Sequence, residues 1–501
     1  MKKKLNDILA AGMVVLVGLC ILVPALTTTW KPDVVSDAEN RKLQDWPTAE
    51  SVQESCEELL SSEEDVSWFL RAETTVSSVT EQIEDFFSDR LGCRVRMISF
   101  NSAMQDKLFG FMNHPLYEYG KDGYVFFRYE DSHMNLDYIE DYASFVKQAQ
   151  NYCEERGIEF LFVVSPSKEE LYAEYLPDTI GEMEDYSALL KPYLEAEGVN
   201  YLYQADALFG AKGQGIAVFN KQYDSGHWNT EGMYAGASAV IDRLQEMGVS
   251  VEDVDLGDYE AVYTHQNYLK ESVYPISEDT YRYERLENGT ESLLVSSNGE
   301  DDLLLSDKYH TYHYYENDSL GSDESLLMFQ GSYYNTQGTM LQHQFSQVAQ
   351  VHAYYNVTDF EYYVDVFQPT VVIFETASYA IQNAYYPHEL LRDAVFSDPY
   401  DNEANQEGFE VSLGDSAVLS YDDSGFINNF EVPWFEQTGL MPAYAYVELE
   451  DGTVLDVLAN DEGALWWGCK TALLEDGALG RLMVMGEDGS MFDAKVMFAA
   501  V

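Results

Sequence analysis

Asp224 and His227 are the pair of residue types best placed to do chemistry together, in the segment Asp224-Ser225-Gly226-His227-Trp228-Asn229-Thr230-Glu231-Gly232. An imidazole acting as a base needs a carboxylate to fix its tautomer and stabilise its protonated form, and this short offset lets one loop supply both. The bland alternative is a helix cap or a structural hydrogen bond. A second segment, Met328-Phe329-Gln330-Gly331-Ser332-Tyr333-Tyr334-Asn335, closes an apolar run on Gly-Ser. A serine at a strand-to-helix turn exposes its hydroxyl at the edge of a sheet, where backbone N–H groups are free to receive an oxyanion. Serine also caps helices well, so each segment alone says little.

Other candidates carry weaker signals. Lys168 follows an apolar strand and could orient a substrate, although an exposed, salt-bridged lysine is the default in so acidic a chain. Glu375 ends another core run and could lie near the site. His310 and His313 stand three apart in a Tyr-rich run with no nearby Cys or paired carboxylates, so no metal is expected there. The 38 tyrosines and the pair Trp466-Trp467 could stack on sugar rings, but ordinary packing is favoured.

The elements that must hold these residues read as an α/β layer. A helical stretch from Tyr138 to about Arg156 is stopped by Gly157, and Ile158 to Val164 is short and apolar enough for a buried strand. Ser325–Phe329, Val348–His352 and Thr370–Phe374 read as further strands, with helical spacing through Met340, Leu341 and Phe345 and again over Met233–Leu244. Such alternation implies a parallel sheet with helices on both faces. Residues 255–323 interrupt it and read as a Tyr-rich insertion. Earlier, Asp122-Gly123 forms a turn opening a buried strand, and helices are expected near residues 79–91 and 95–108. After residue 400, Asp451-Gly452, Asp476-Gly477 and Asp488-Gly489 are hairpin turns of a small antiparallel β domain. The expected organisation is 1–27, tail and anchor; 28–110, spacer and helices; 111–400, the α/β domain; 401–501, the β domain.

With 501 residues and 46% hydrophobic content the chain is folded and multidomain. Its formal charge of -60 repels nucleic acid, so no nucleic-acid partner is expected. Lys2, Lys3 and Lys4 precede an uncharged apolar run from Ile8 to Leu26, long enough to span a bilayer with the N-terminus cytoplasmic. A single-pass anchor with the bulk of the chain outside the cytoplasm is expected, cleavage near Val23-Pro24-Ala25 and secretion being the alternative. Cys20, Cys56, Cys93, Cys153 and Cys469 are dispersed, which disfavours structural zinc and leaves disulfides and free thiols equally open.

From about Ser36 to Pro399 the chain resembles the alginate O-acetyltransferase branch of the SGNH hydrolase superfamily, including the DHHW proteins of Gram-positive bacteria. The motifs are Ser36-Asp37-Ala38-Glu39-Asn40-Arg41-Lys42-Leu43, Phe86-Phe87-Ser88-Asp89-Arg90, Gly120-Lys121-Asp122-Gly123-Tyr124-Val125-Phe126 and Val164-Ser165-Pro166-Ser167-Lys168, then the Asp224 and Ser332 segments. The resemblance implies an SGNH-like three-layer parallel-sheet core. It also implies an extracytoplasmic O-acetyltransferase or acetylesterase acting on a cell-envelope or secreted polysaccharide. In that reading Ser332 is the nucleophile, His227 the base then acid, and Asp224 the orienting carboxylate, with the Ser332 and Tyr333 N–H groups and the Asn335 amide as oxyanion donors. The partners implied are a polysaccharide acceptor and an acetyl donor, for which a membrane acyltransferase is one source; no cofactor is implied. Two departures keep a non-catalytic glycan-binding or assembly protein as the alternative. If the glycines of the nucleophile block are aligned, Tyr333 takes the serine position, and Glu375-Thr376-Ala377-Ser378 stands where the family has its oxyanion asparagine.

Overall fold

In a computed structural model of the chain, the described residues are 2–36, 41–49, 51–53, 55, 68–128, 136–177, 186–286, 293–297, 303–306, 308–317, 322–335, 338–394, 396, 417–460, 462–487 and 491–501. They fall into two compact units. The first comprises Met1–Arg128, Lys221–Ser225 and Tyr263–Thr280, and the second Tyr129–Asn220, Gly226–Val262 and Tyr281–Val501.

The first unit opens with helix α1, Lys2–Leu26, over the expected anchor. Among the described residues no helix is long and apolar enough to cross a membrane; the side chains of residues 2–9, Leu16 and Cys20 lie outside them. Helices α2, Trp68–Arg90, and α3, Arg94–Phe109, meet at a tight corner, and Gly110 closes α3 in the left-handed conformation that glycine adopts without strain. The Phe-Phe-Ser-Asp-Arg motif is a clasp. Phe86 and Phe87 pack on Trp30 and Trp46, Asp89 accepts from the Gln44 N–H at 2.9 Å, and buried Arg90 pairs with Asp45 and donates to the Lys31, Leu43 and Gln44 carbonyls. The Asp122-Gly123 turn joins β3, Tyr117–Tyr119, to β4, Val125–Phe127, antiparallel, as the sequence predicts. Residues 221–225 are tied to β4 through Val125 N–H to Lys221 O, 3.0 Å, and Ser225 Oγ to Val125 O, 2.9 Å.

In the second unit, helix α4, Leu136–Glu155, buries Ile139, Tyr142, Val146, Ala149 and Cys153 along one stripe. It ends where Gly157 turns left-handed at φ 70° and the Ile158 N–H returns to the Cys153 carbonyl. Strand β5, Glu159–Ser165, follows and is buried beyond its first residue, as a parallel strand covered on both faces must be. Parallel to it run β6, Tyr201–Tyr203; β11, Ser325–Gln330; β12, Gln347–His352; and β13, Val371–Ala377. Strands β9, Leu293–Ser297, and β10, Tyr312–Glu316, extend the sheet antiparallel, giving the order β6-β5-β13-β11-β12-β10-β9. The Tyr-rich stretch read as an insertion therefore supplies two strands of this sheet. The helix expected through Met340, Leu341 and Phe345 is instead a short 3-10 segment, Gly338–His343, that ends before Phe345; all three side chains are buried.

The C-terminal residues form a second sheet in which β14, Ala417–Tyr421, β15, Ile427–Val432, β18, Leu465–Lys470, and β20, Met491–Ala500, join β16, β17 and β19 in the order β14-β20-β19-β16-β17-β18-β15, antiparallel except for the β14–β20 pair. Asp451-Gly452 turns β16, Pro442–Glu448, into β17, Val454–Ala459, with Gly452 at φ 88°. Asp476-Gly477 leads into β19, Leu479–Gly486, while Asp488-Gly489 lies outside the described residues. Trp467 belongs to this sheet's core and Trp466 packs on Tyr362. Cys93, Cys153 and Cys469 are free thiols, the last two buried, and Cys56 lies outside the described residues.

Candidate active site

Strand β11 lies between β12 and β13, so Gly331 and Ser332 emerge at the C-terminal edge of the sheet's middle strand. The Gly331 N–H donates to Glu375 Oε2 at 2.6 Å, and a Cβ at this position would stand 3.0 Å from the same oxygen. A side chain there would press on the carboxyl, which is why glycine precedes the serine. Ser332 Oγ lies 2.9 Å from the Tyr379 hydroxyl, on the turn that follows β13. The partner that the serine hydroxyl meets here is a phenol and not the His227 imidazole.

His227 packs against the neighbouring residue instead. Its ring stands edge-on to Tyr333, centroids 5.4 Å apart, and Trp228 contacts the same tyrosine at 4.9 Å. The Tyr333 hydroxyl donates to the Pro166 carbonyl at 3.0 Å. Asn335 Oδ1 accepts from Gln330 Nε2 at 3.1 Å, so its amide faces back along the strand that carries the site. Asp224 belongs to the first unit, while His227 and Ser332 belong to the second. There Asp224 is buried at a left-handed φ of 48°, and its carboxylate accepts from Lys270 Nζ at 2.6 Å. The loop ahead of it is gripped by Glu278, which takes the Lys221, Gln222 and Tyr223 N–H groups.

Glu375 is fully buried within β13. Ser165 Oγ is 2.8 Å from Gln204 Oε1 and 2.6 Å from Glu375 Oε1, and its single proton can serve only one of them. Gln204 is oriented by its amide N–H groups, which donate to the Gly236 carbonyl and the Tyr334 hydroxyl, both at 2.8 Å. Ser165 Oγ thus bridges the Gln204 oxygen and the Glu375 carboxyl. Burial raises Glu375 to about 7, against the lowering effect of its Ser165 and Gly331 hydrogen bonds.

Lys168 is not the exposed lysine that the acidic composition favours; it is buried in the first turn of the short helix Lys168–Leu171. Ser167 and Glu170 form a capping box on that turn, and Glu170 also accepts from Ser378 Oγ at 2.9 Å, bracing the loop after β5 to the loop after β13. His313 sits in strand β10, between β12 and β9, its pKa lowered by burial. Among the described residues no group of three or more His, Cys, Asp or Glu could hold a metal ion. Reading the sequence passed over Tyr379, Ser165, Gln204 and Lys270. The nearest signals were local ones, Ser165 within the Val164–Lys168 motif and Tyr379 next to Ser378, whereas the pairing of Lys270 with Asp224 spans a stretch with no distinctive pattern.

Residues 118–307 match the family model described as SGNH hydrolase-like domain, acetyltransferase AlgX, a span that includes Asp224 and His227 and ends before Ser332. Similar solved structures include PatB1 of Bacillus cereus, 16% identical with a TM-score of 0.42, covering 52% of this chain and 96% of that one. A DHHW family protein from Eubacterium siraeum is 13% identical, TM-score 0.41, covering 57% and 98%. The O-acetyltransferase domain of Pseudomonas putida AlgJ is 13% identical, TM-score 0.39, covering 56% and 100%. No protein of curated function matches the chain. The resemblance to the SGNH hydrolase-like, AlgX type of acetyltransferase domain therefore holds over residues 118–307 of this chain.

Proposed function

We propose that this chain is an O-acetyltransferase or acetylesterase acting on a polysaccharide through an acetyl-Ser332 intermediate. The observation that carries the reading is the acetyltransferase-type match over residues 118–307, joined to a serine that leaves the middle of the sheet at its C-terminal edge. Ser332 Oγ attacks the carbonyl of an acetyl ester and passes its proton to His227. The tetrahedral intermediate collapses as His227 protonates the departing alcohol. A sugar hydroxyl then gives its proton to His227 and attacks the acetyl carbonyl, and as the bond to Ser332 Oγ breaks His227 returns that proton to the serine, with water as the competing acceptor. Tyr379 has a part of its own. Its phenol holds the Ser332 hydroxyl at rest and, as a neutral donor beside the reacting carbonyl, can share the developing negative charge.

A second reading, a glycan-binding protein without the chemistry, is favoured by the contact of His227 with Tyr333 and by the bond of Ser332 to Tyr379. Turnover of an activated acetyl ester separates the two. The enzyme reading expects Ser332→Ala and His227→Ala each to lower kcat by about 10³-fold or more. The binding reading expects no turnover above background in the parent and a glycan affinity untouched by His227→Ala.

We also propose that α1 anchors the chain in a membrane with its bulk outside the cytoplasm. In support, Met13, Val14, Val17, Ile21 and Leu26 are each more than half exposed, a surface that costs free energy in water and none in lipid.

A further inference from the structure

Helix α3, Arg94–Phe109, is amphipathic the wrong way round for a helix whose outer face meets water. Its inward side is polar: Ser102 is buried, and Ser99 Oγ donates to the Val273 carbonyl at 3.1 Å. Its outward side carries Met97, Phe100, Met104 and Leu108, whose spacing of three, four and four places them on one stripe, with Phe100 71% and Leu108 66% exposed. Phe109 and Phe111, each half exposed or more, extend the apolar surface at the far end. Single exposed apolar side chains need no explanation, but a contiguous run along one face implies something apolar that covers it.

Two observations point to the cover. The first is where the helix starts. The Gly92 N–H donates to the Pro24 carbonyl at 3.1 Å and the Thr29 N–H to the Arg90 carbonyl at 3.3 Å, so the corner between α2 and α3 is bonded to the last turn of α1 and the residues just after it. A Cβ on Gly92 would overlap Thr27 Oγ1, which is why glycine stands at this corner. Helix α3 therefore departs from the outer end of the proposed anchor. The second is charge. Arg96 and Lys107 are both exposed and, eleven residues apart, lie on the same flank of the stripe, in a chain whose formal charge is -60. At physiological ionic strength charges beyond about 8 Å are screened, so a surface touching this face meets the two cations rather than the acidic remainder. An apolar stripe edged by cations matches a bilayer containing anionic lipid, with acyl chains for the stripe and headgroups for Arg96 and Lys107. A second copy of the chain is a poorer match, because these few side chains fall well short of the roughly 20 residues a side of a stable dimer.

We infer that α3 lies in the outer interface of the bilayer, with Met97, Phe100, Met104 and Leu108 in the acyl region and Arg96 and Lys107 on anionic headgroups. The inference rests on the anchor proposed for α1 and adds a second attachment to it. Held at two places, the first unit has a fixed face toward the membrane instead of swinging on a single helix.

The test reconstitutes the full-length chain in vesicles of phosphatidylcholine and phosphatidylglycerol, part of the phosphatidylcholine carrying a photoactivatable diazirine in its acyl chain. After irradiation, proteolysis and mass spectrometry locate the lipid adducts. They are expected along residues 97–111 as well as in α1. Phe100→Asp with Leu108→Asp, both at exposed positions, lowers the α3 adducts about fivefold or more and leaves those in α1 unchanged. Arg96→Gln with Lys107→Gln keeps the stripe whole and lowers the α3 adducts about twofold or more in these vesicles, but not in phosphatidylcholine alone; the same yield as the parent in both would overturn the headgroup contact. Adducts confined to α1 overturn the inference and leave the anchor standing, whereas adducts along α3 with none in α1 remove the anchor and keep the interfacial helix. A chain whose α3 takes no lipid, and which is a dimer by light scattering but a monomer with Phe100→Asp and Leu108→Asp, assigns the face to a second copy and likewise overturns the inference.

Discussion

At the scale of single residues, the proton on Glu375 connects the sheet to the site. Its carboxyl spans the Gly331 N–H on one strand and Ser165 on another, so whether it is charged bears directly on the strand end that presents Ser332. Raised to about 7 from its usual 4.5, Glu375 holds its proton more tightly folded than unfolded. Its contribution to stability is thus fully present below pH 4.5 and lost as pH rises through 7, on the order of 3 kcal/mol in all. Glu375→Gln carries an amide where the neutral acid stands, with its oxygen toward Gly331 and its NH₂ toward Ser165. The variant should match the parent in denaturant unfolding at pH 4 and exceed it at pH 8 by about 2–3 kcal/mol. A parent and variant with the same pH slope would mean that Glu375 is ionised in the folded chain. None of this was legible in sequence, where Glu375 is one carboxylate at the end of an apolar run. Its state follows from burial, and the Ser165–Gln204 chain reaches it only across strands.

At the scale of elements, legibility followed the strength of the local pattern. Helix α4 and strands β5, β11 and β13 were read within a few residues because their apolar runs and glycine stops are determined locally. The helix Phe360–Phe367 was missed because it is short and all eight residues are buried, so that Glu361 and Asp365, four apart on one face, mark no solvent-exposed side. Strand β10 was missed for another reason: Tyr312 and Tyr314 point inward and His313 and Tyr315 lie between them, but a tyrosine reads as neither clearly apolar nor clearly polar. Helix α1 is the element whose role is open to the plainest experiment. Expressed in a bacterium, the parent should stay with membranes after alkaline carbonate washing, and Val15→Lys with Leu19→Lys should release most of it, because each lysine near the centre of a span costs about 2.5–3.5 kcal/mol. Release of the parent by the wash would contradict the anchor.

At the scale of the molecule, what the sequence hid was the discontinuity of the units. Residues 221–225 and 263–280 fold with the N-terminal 128 residues, so Asp224 and His227, neighbours in one motif, are held by different units. Contacts from segments far away in sequence also position each of them. Lys270 and Glu278 do this for the Asp224 loop, and Trp228 and Tyr333 for His227. The proposed reaction is acyl transfer through Ser332 with His227 as its base. Brief exposure of the full-length chain to an activated acetyl ester, acid quenching and peptide mass spectrometry tests it most directly. A single added acetyl group on Ser332 that disappears on longer incubation and fails to form in His227→Ala is expected; an unmodified Ser332, or an acetyl group that forms equally in His227→Ala, would overturn the acyl-transfer reading.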